Sequence, residues 1–165
     1  MSRFYRRLAT VVQAAPILIR IPYFFYRRIQ PRYTVGVIGV VMNPAGQVLL
    51  VEHVFHPEIP WGLPGGWIGR NEAPQDAVMR EIREELSLIV ESVSLLHMEK
   101  TEDNHLDIAF LCQVAPDSEI GTLSYELLSY KWHDPGTLPR LHKFHYDTIQ
   151  KVLNTRQYDH MESVL

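Results

Sequence analysis

Glu81, Glu84 and Glu85 are spaced three and four residues apart, so on an α-helix they share one patch. Like charges at that spacing repel by about 0.2–0.5 kcal/mol per pair. A hard divalent cation with oxygen ligands turns the repulsion into a gain, so the patch calls for magnesium or manganese. Just upstream, Trp61-Gly62-Leu63-Pro64-Gly65-Gly66 sets two adjacent glycines where backbone groups can approach a ligand without side-chain obstruction. A glycine turn joined to a three-carboxylate helix is a means of holding metal against a diphosphate. A Glu-rich helix alone reads as a solvated surface; the turn in front of it favours the chemical reading.

These residues need elements to hold them. The acids belong to a helix predicted over about Pro74–Leu86, with Pro74 suited to the first turn and Ala77, Val78, Ile82 and Leu86 forming an apolar stripe. Tyr33 to Met42 is rich in valine and isoleucine, as in a buried strand, and Asn43-Pro44-Ala45-Gly46 has turn chemistry, so a hairpin to Gln47–Val54 is expected. Phe55–Gly66, dense in proline and glycine, reads as a loop delivering the turn. Val90–His97, Leu106–Val114 and Leu127–His133 read as strands, and Leu141–Leu153 as a helix through Phe144, Ile149 and Val152.

From Gly66 the spacing runs through Glu72 to Arg80-Glu81-Ile82-Arg83-Glu84-Glu85-Leu86-Ser87-Leu88, and this segment resembles the Nudix box. Every charged position of the signature is present. Ser87 departs from it, standing where the family has a helix-ending glycine. A left-handed non-glycine residue there costs about 1–2 kcal/mol, so an altered exit from the helix is expected.

The resemblance implies Glu84 and Glu85 as metal ligands, Glu81 as a further ligand or the general base, and a ligating backbone carbonyl at Gly65. Arg80, grouped with Glu81 and Glu84 in the catalytic set, would pair with Glu72 and brace the loop against the helix. A further acidic ligand often comes from outside the box, shortly before a tryptophan. Glu126, ahead of Trp132, is that candidate, with a solvated strand-end carboxylate as the alternative. The implied fold is α/β (α+β), an α/β/α sandwich with a mixed sheet between helices, from about Tyr33 to Leu153. The implied reaction is magnesium-dependent hydrolysis of a phosphoanhydride in a nucleotide or other diphosphate, with manganese as a substitute. Metal offsets the charge developing on phosphate oxygens while a carboxylate, Glu81 by preference, positions or deprotonates water. A catalytically weak nucleotide-binding module and a membrane-peripheral hydrolase of lipid-linked diphosphates are the alternatives.

At 165 residues, 46% of them hydrophobic, the chain suits one well-buried core. It divides by composition into an arm (1–32), a catalytic domain (33–154) and a tail (155–165). The single cysteine, Cys112, sits in an apolar run, excludes disulfide stapling and suits the reducing cytoplasm. The net charge of −3 conceals a sharp division: Arg3, Arg6, Arg7, Arg20, Arg27, Arg28 and Arg32 lie in the arm, whereas no acid occurs before Glu52. Phe4, Leu8, Val11, Val12 and Ala15 recur at helical spacing among the early arginines, as in a basic amphipathic helix. Such an arm packs on the domain, pairs with a twin subunit or touches an anionic membrane surface. Pro16, Arg20 and Pro22 interrupt the apolar stretch from Leu8 to Tyr26, which disfavours a span, and Gln13 with no cleavage site disfavours a signal peptide. No stable nucleic-acid partner is expected, because the acidic body repels a long polyanion.

Substrate identity is not written in the chain. Family signatures roughly sixteen residues after the box have no counterpart at Asp103-Asn104-His105. Trp61, Trp67, Phe55 and Tyr125 are candidates either for stacking on a base or for packing. His56 and His105 are candidates for phosphate contact or plain loop residues, and the histidine spacing does not suggest zinc.

Overall fold

Both faces of the first strand are buried, and this decides the architecture. The computed structural model describes residues 10, 13 and 17–162. They form α1 (Ile17–Ile29), β1 (Thr34–Val41), β2 (Val48–His53), β3 (Trp61–Gly62), β4 (Gly65–Trp67), α2 (Pro74–Leu86), β5 (Val90–Glu102), β6 (His105–Val114), β7 (Leu127–His133) and α3 (Lys143–Glu162). The chain divides into two compact units between Arg32 and Tyr33. The arm positions Phe4, Leu8, Val11, Val12 and Ala15 lie outside the described residues. Among the described residues, no helix is long and apolar enough to cross a membrane.

Side chains alternate along a strand, so β1 feeds two cores. Val37 and Val41 join Phe110 and Cys112 of β6 against Ala77, Val78, Ile82 and Leu86 of α2. Ile38 and Val40 join Ala109 against Phe144, Ile149 and Val152 of α3. Helices thus cover both faces of a four-stranded sheet ordered β4-β1-β6-β5, in which β1 is parallel to β6 and antiparallel to β4. A second, antiparallel sheet is ordered β3-β2-β7. This is the mixed α+β sandwich expected.

The expected β1–β2 hairpin is corrected. The turn forms, with the Asn43 N–H donating to Gln47 O at 3.0 Å, but only a Met42–Val48 bridge follows before the strands part into different sheets. Each strand finds its partners elsewhere, β1 with β4 and β6, β2 with β3 and β7. The expected loop from Phe55 to Gly66 likewise contains β3 and the start of β4, which step from the second sheet to the first. The glycine turn therefore rides on a crossing anchored to both sheets.

Helix α2 begins with Pro74 after an Ala73 that offers no side-chain cap, and it ends at Ser87. The altered exit expected there does not occur. Ser87 takes the left-handed conformation itself, φ 59° and ψ 15°, and its N–H donates to Arg83 O at 2.9 Å. Two contacts compensate. The Ser87 hydroxyl donates to Thr122 O at 3.0 Å, and the Gly121 N–H donates to Leu86 O at 3.0 Å. Ser87→Gly relieves about 1–2 kcal/mol of backbone strain and loses an exposed hydrogen bond of about 0.5–1.5 kcal/mol. The expected result in urea unfolding is a small net gain, about 0.5 kcal/mol, with unchanged m.

Candidate active site

The two glycines of the turn sit where a side chain has no room. In β4, Gly65 pairs with Ile38 and Gly66 with Val37. A Cβ at Gly65 would stand 2.1 Å from Val37 O, and one at Gly66 2.5 Å from the Glu81 carboxyl carbon. Two bonds tether the segment just before them: the Gly39 N–H donates to Pro64 O at 2.9 Å, and the Leu63 N–H donates to His145 Nδ1 at 2.9 Å. Strand β1 and helix α3 thus place the turn, and the turn meets the acids of α2.

Glu85 lies deepest, 4% exposed. Its carboxylate accepts the Gly65 N–H at 3.0 Å. Burial, then the nearby charges of Glu81 and Glu126, push its pKa up from 4.5 to about 8. A buried carboxylate facing like charge is expensive unless a cation joins it. Glu126 reaches this neighbourhood because the preceding loop caps the end of α2: the Ser124 N–H donates to Glu85 O at 3.0 Å, alongside the Gly121 bond. The backbone of Glu126 is itself held by the Val54 N–H at 2.9 Å, and its side chain is exposed at the start of β7.

Glu81 and Glu84 are drawn outward instead. Arg80 Nη1 donates to Glu81 Oε1 at 2.8 Å and to Glu84 Oε2 at 3.1 Å. Its Nε and Nη2 grip both oxygens of Glu72 at 2.8 and 2.9 Å, and Nη2 also reaches Trp67 O at 3.0 Å. Glu72 further accepts the Gly69 N–H at 2.7 Å, and these bonds, Arg80 first, lower its pKa to about 2. The Arg80–Glu72 pair therefore braces the turn on the helix, and the same guanidinium holds two box acids. Glu81, Glu84 and Glu85 share the helix patch that their spacing implies, with Glu81 close enough to raise the Glu85 pKa, and Arg80 holds the outer two. Among the described residues, no three His, Cys, Asp or Glu groups close on one point as a metal cage. The like charge of Glu81 and Glu84 is met by the Arg80 guanidinium.

The donor set nevertheless fits a hard dication, because carboxylates and the Gly65 carbonyl are all oxygen and buried Glu85 forms no ion pair among the described residues. Sequence reasoning missed His53 and His145. Burial holds both at pKa about 4, with Glu126 pulling weakly upward at His53. His53 stacks on His56 at 5.2 Å between ring centroids. These rings come from β2, the loop after it and α3, so no local spacing could have announced them. Of the candidate stacking groups, Trp61 is half-buried against His133, whereas Phe55, Trp67 and Tyr125 are exposed. Both nitrogens of His105 are taken, by Thr34 Oγ1 at 2.8 Å and Asp107 Oδ1 at 3.1 Å, which argues against phosphate contact there. A cleft of about 830 Å³ lies elsewhere, beside Asn43, Gln113 and Trp132, and none of the box acids lines it.

Residues 32–152 match the family model of the NUDIX domain. The chain belongs to the Nudix family. A Bacillus subtilis (strain 168) protein provisionally named an 8-oxo-dGTP diphosphatase is 32% identical over 114 residues, 65% of this chain and 70% of that one. An RNA pyrophosphohydrolase of Acinetobacter baylyi is 38% identical over 64 residues, 38% of this chain and 37% of that one. The crystal structure of a MutT Nudix hydrolase from Burkholderia pseudomallei is matched at TM-score 0.63 and 26% identity, over 74% of this chain and 98% of that one. Nudix membership carries the class of reaction, hydrolysis of a phosphoanhydride.

Proposed function

We propose that residues 33–154 form a magnesium-dependent hydrolase of a nucleoside diphosphate linked to a further group, with manganese as a substitute. The observation that carries this reading is Glu85, a carboxylate buried on the Gly65 amide beside the charges of Glu81 and Glu126. Glu81, Glu84, Glu85 and Glu126 with the Gly65 carbonyl would hold the metal, which when bound neutralises phosphate charge and makes water more acidic. Glu81 is the proposed base: Arg80 fixes one of its oxygens and the bare backbone of Gly66 leaves its carboxyl room to face substrate. Arg80 orients rather than reacts. Phe55, Trp67 and Tyr125 supply exposed faces on which a base can stack. A cytoplasmic setting belongs to the same reading, supported by the lone buried Cys112, whose thiol burial pushes to about 12.

The test is a product screen over nucleoside triphosphates, nucleotide sugars, dinucleoside polyphosphates and alcohol diphosphates, with magnesium and with excess chelator. Magnesium-dependent cleavage of one class is expected. Cleavage that survives chelation overturns the metal assignment, and binding without cleavage of any compound replaces the enzyme with a nucleotide-sensing module.

A further inference from the structure

We propose that α1 is a surface-seeking helix that docks the protein on an anionic lipid bilayer. The inference is independent of the proposed reaction and rests on the helix alone. At 100° per residue, Ile17, Ile21, Phe24, Phe25 and Ile29 share one side of α1, whereas Arg20 and Arg27 lie together on another. The five apolar side chains are all exposed, from 53% at Phe24 to 78% at Ile29. Tyr23 and Tyr26, also more than half exposed, lie off the apolar arc, where ring and hydroxyl suit a headgroup layer. Arg28 falls within the arc near the C-terminus of the helix, its guanidinium 4.8 Å from the Phe24 ring centroid. A long stem with a charged tip lets such a residue follow an apolar face and still reach phosphate.

The described helix is too short to span and suits an in-plane position. Thirteen residues rise about 20 Å, short of the roughly 30 Å hydrocarbon core, and Pro22 lies inside the helix. Charge selects the kind of bilayer. Arg20, Arg27, Arg28 and Arg32 are accompanied by no acid before Glu52, so the segment is attracted to anionic headgroups and gains little from neutral ones. A second copy of α1 would set arginine against arginine. A nucleic-acid backbone would meet the arginines but leave five large apolar side chains in water.

The full chain is sedimented with phosphatidylcholine vesicles, with and without phosphatidylglycerol. Co-sedimentation is expected with the anionic vesicles alone and falls as salt is raised. Phe24→Ser/Phe25→Ser and Arg20→Gln/Arg27→Gln are each expected to weaken it by roughly tenfold or more, through lost burial and lost attraction respectively. All four positions are exposed, so both variants keep the domain folded. The proposal is overturned by no pelleting, by equal pelleting on neutral vesicles, or by variants that bind like the wild type. Lipid-free self-association that Phe24→Ser/Phe25→Ser abolishes, or oligonucleotide binding without vesicle binding, overturns it equally.

Discussion

Glu84→Gln and Glu85→Gln are each expected to cut turnover about a thousandfold while moving stability in different ways. A carboxylate ligand contributes several kcal/mol of charge stabilisation to a phosphoryl transition state, and about 4 kcal/mol corresponds to three decades in rate. An amide of the same shape keeps the hydrogen bonds and removes the charge. Glu84 is half exposed and touches only Arg80 Nη1, so its replacement leaves the melting temperature nearly unchanged. Glu85 is buried, and its amide replacement still accepts the Gly65 N–H. In metal-free protein the folded state keeps a proton on Glu85 up to pH about 8, whereas the unfolded chain releases it near 4.5. Stability from this group is therefore full below 4.5 and is lost as pH rises toward 8, on the order of a few kcal/mol. Glu85→Gln abolishes that slope and is the more stable protein at pH 8 without metal; magnesium then raises the melting temperature of the wild type alone. Urea unfolding across this pH range with chelator, alongside single-turnover rates with magnesium, checks both halves. A wild-type slope equal to that of Glu85→Gln sinks the burial argument, and unaltered rates sink the ligand assignment.

Alanine at the two adjacent glycines should fail in two different manners. At Gly65 the new Cβ meets the backbone carbonyl of Val37 at 2.1 Å and the Ile38 Cα at 2.8 Å, and φ of 155° is itself unsuited to a side chain. Backbone of a central strand cannot step aside, so β4 detaches from β1. The expected cost is about 3 kcal/mol or more, with activity lost along with the fold of the turn. At Gly66 the obstruction is the end of a flexible side chain, the Glu81 carboxylate at 2.5–2.7 Å. Glu81 swings away, the protein stays folded and turnover falls by about a hundredfold or more, as for a displaced base. Circular dichroism melts with kcat measurements separate the two. A Gly66→Ala enzyme of full activity would show that Glu81 does not work from beside the turn.

The spacing of residues along one helix was enough to read α2 to its ends, its buried stripe and its acidic patch, because helix periodicity is local and the box acids follow it without interruption. The glycines, the Arg80–Glu72 brace and Cys112 as core were legible for the same reason, each being a short-range demand of backbone room, charge or burial. Folding in three dimensions decided what these residues face. Strands β1 and β2 look like a hairpin in one dimension and join different sheets, since each gains more from distant partners than from the other. Arg80 turned out to hold Glu81 and Glu84 as well as Glu72, because a guanidinium has donors enough for three carboxylates within its reach. Ser87 accepted a left-handed backbone because Gly121 and Thr122, from far along the chain, capped the helix around it. That same capping loop brings Glu126 toward Glu85, and α3 brings His145 to Leu63, contacts across tens of residues that no periodicity records. The chain alone determined the spacing of the acids and the adjacent glycines; only tertiary packing decided which acid is buried, which is held by arginine and which reaches the turn.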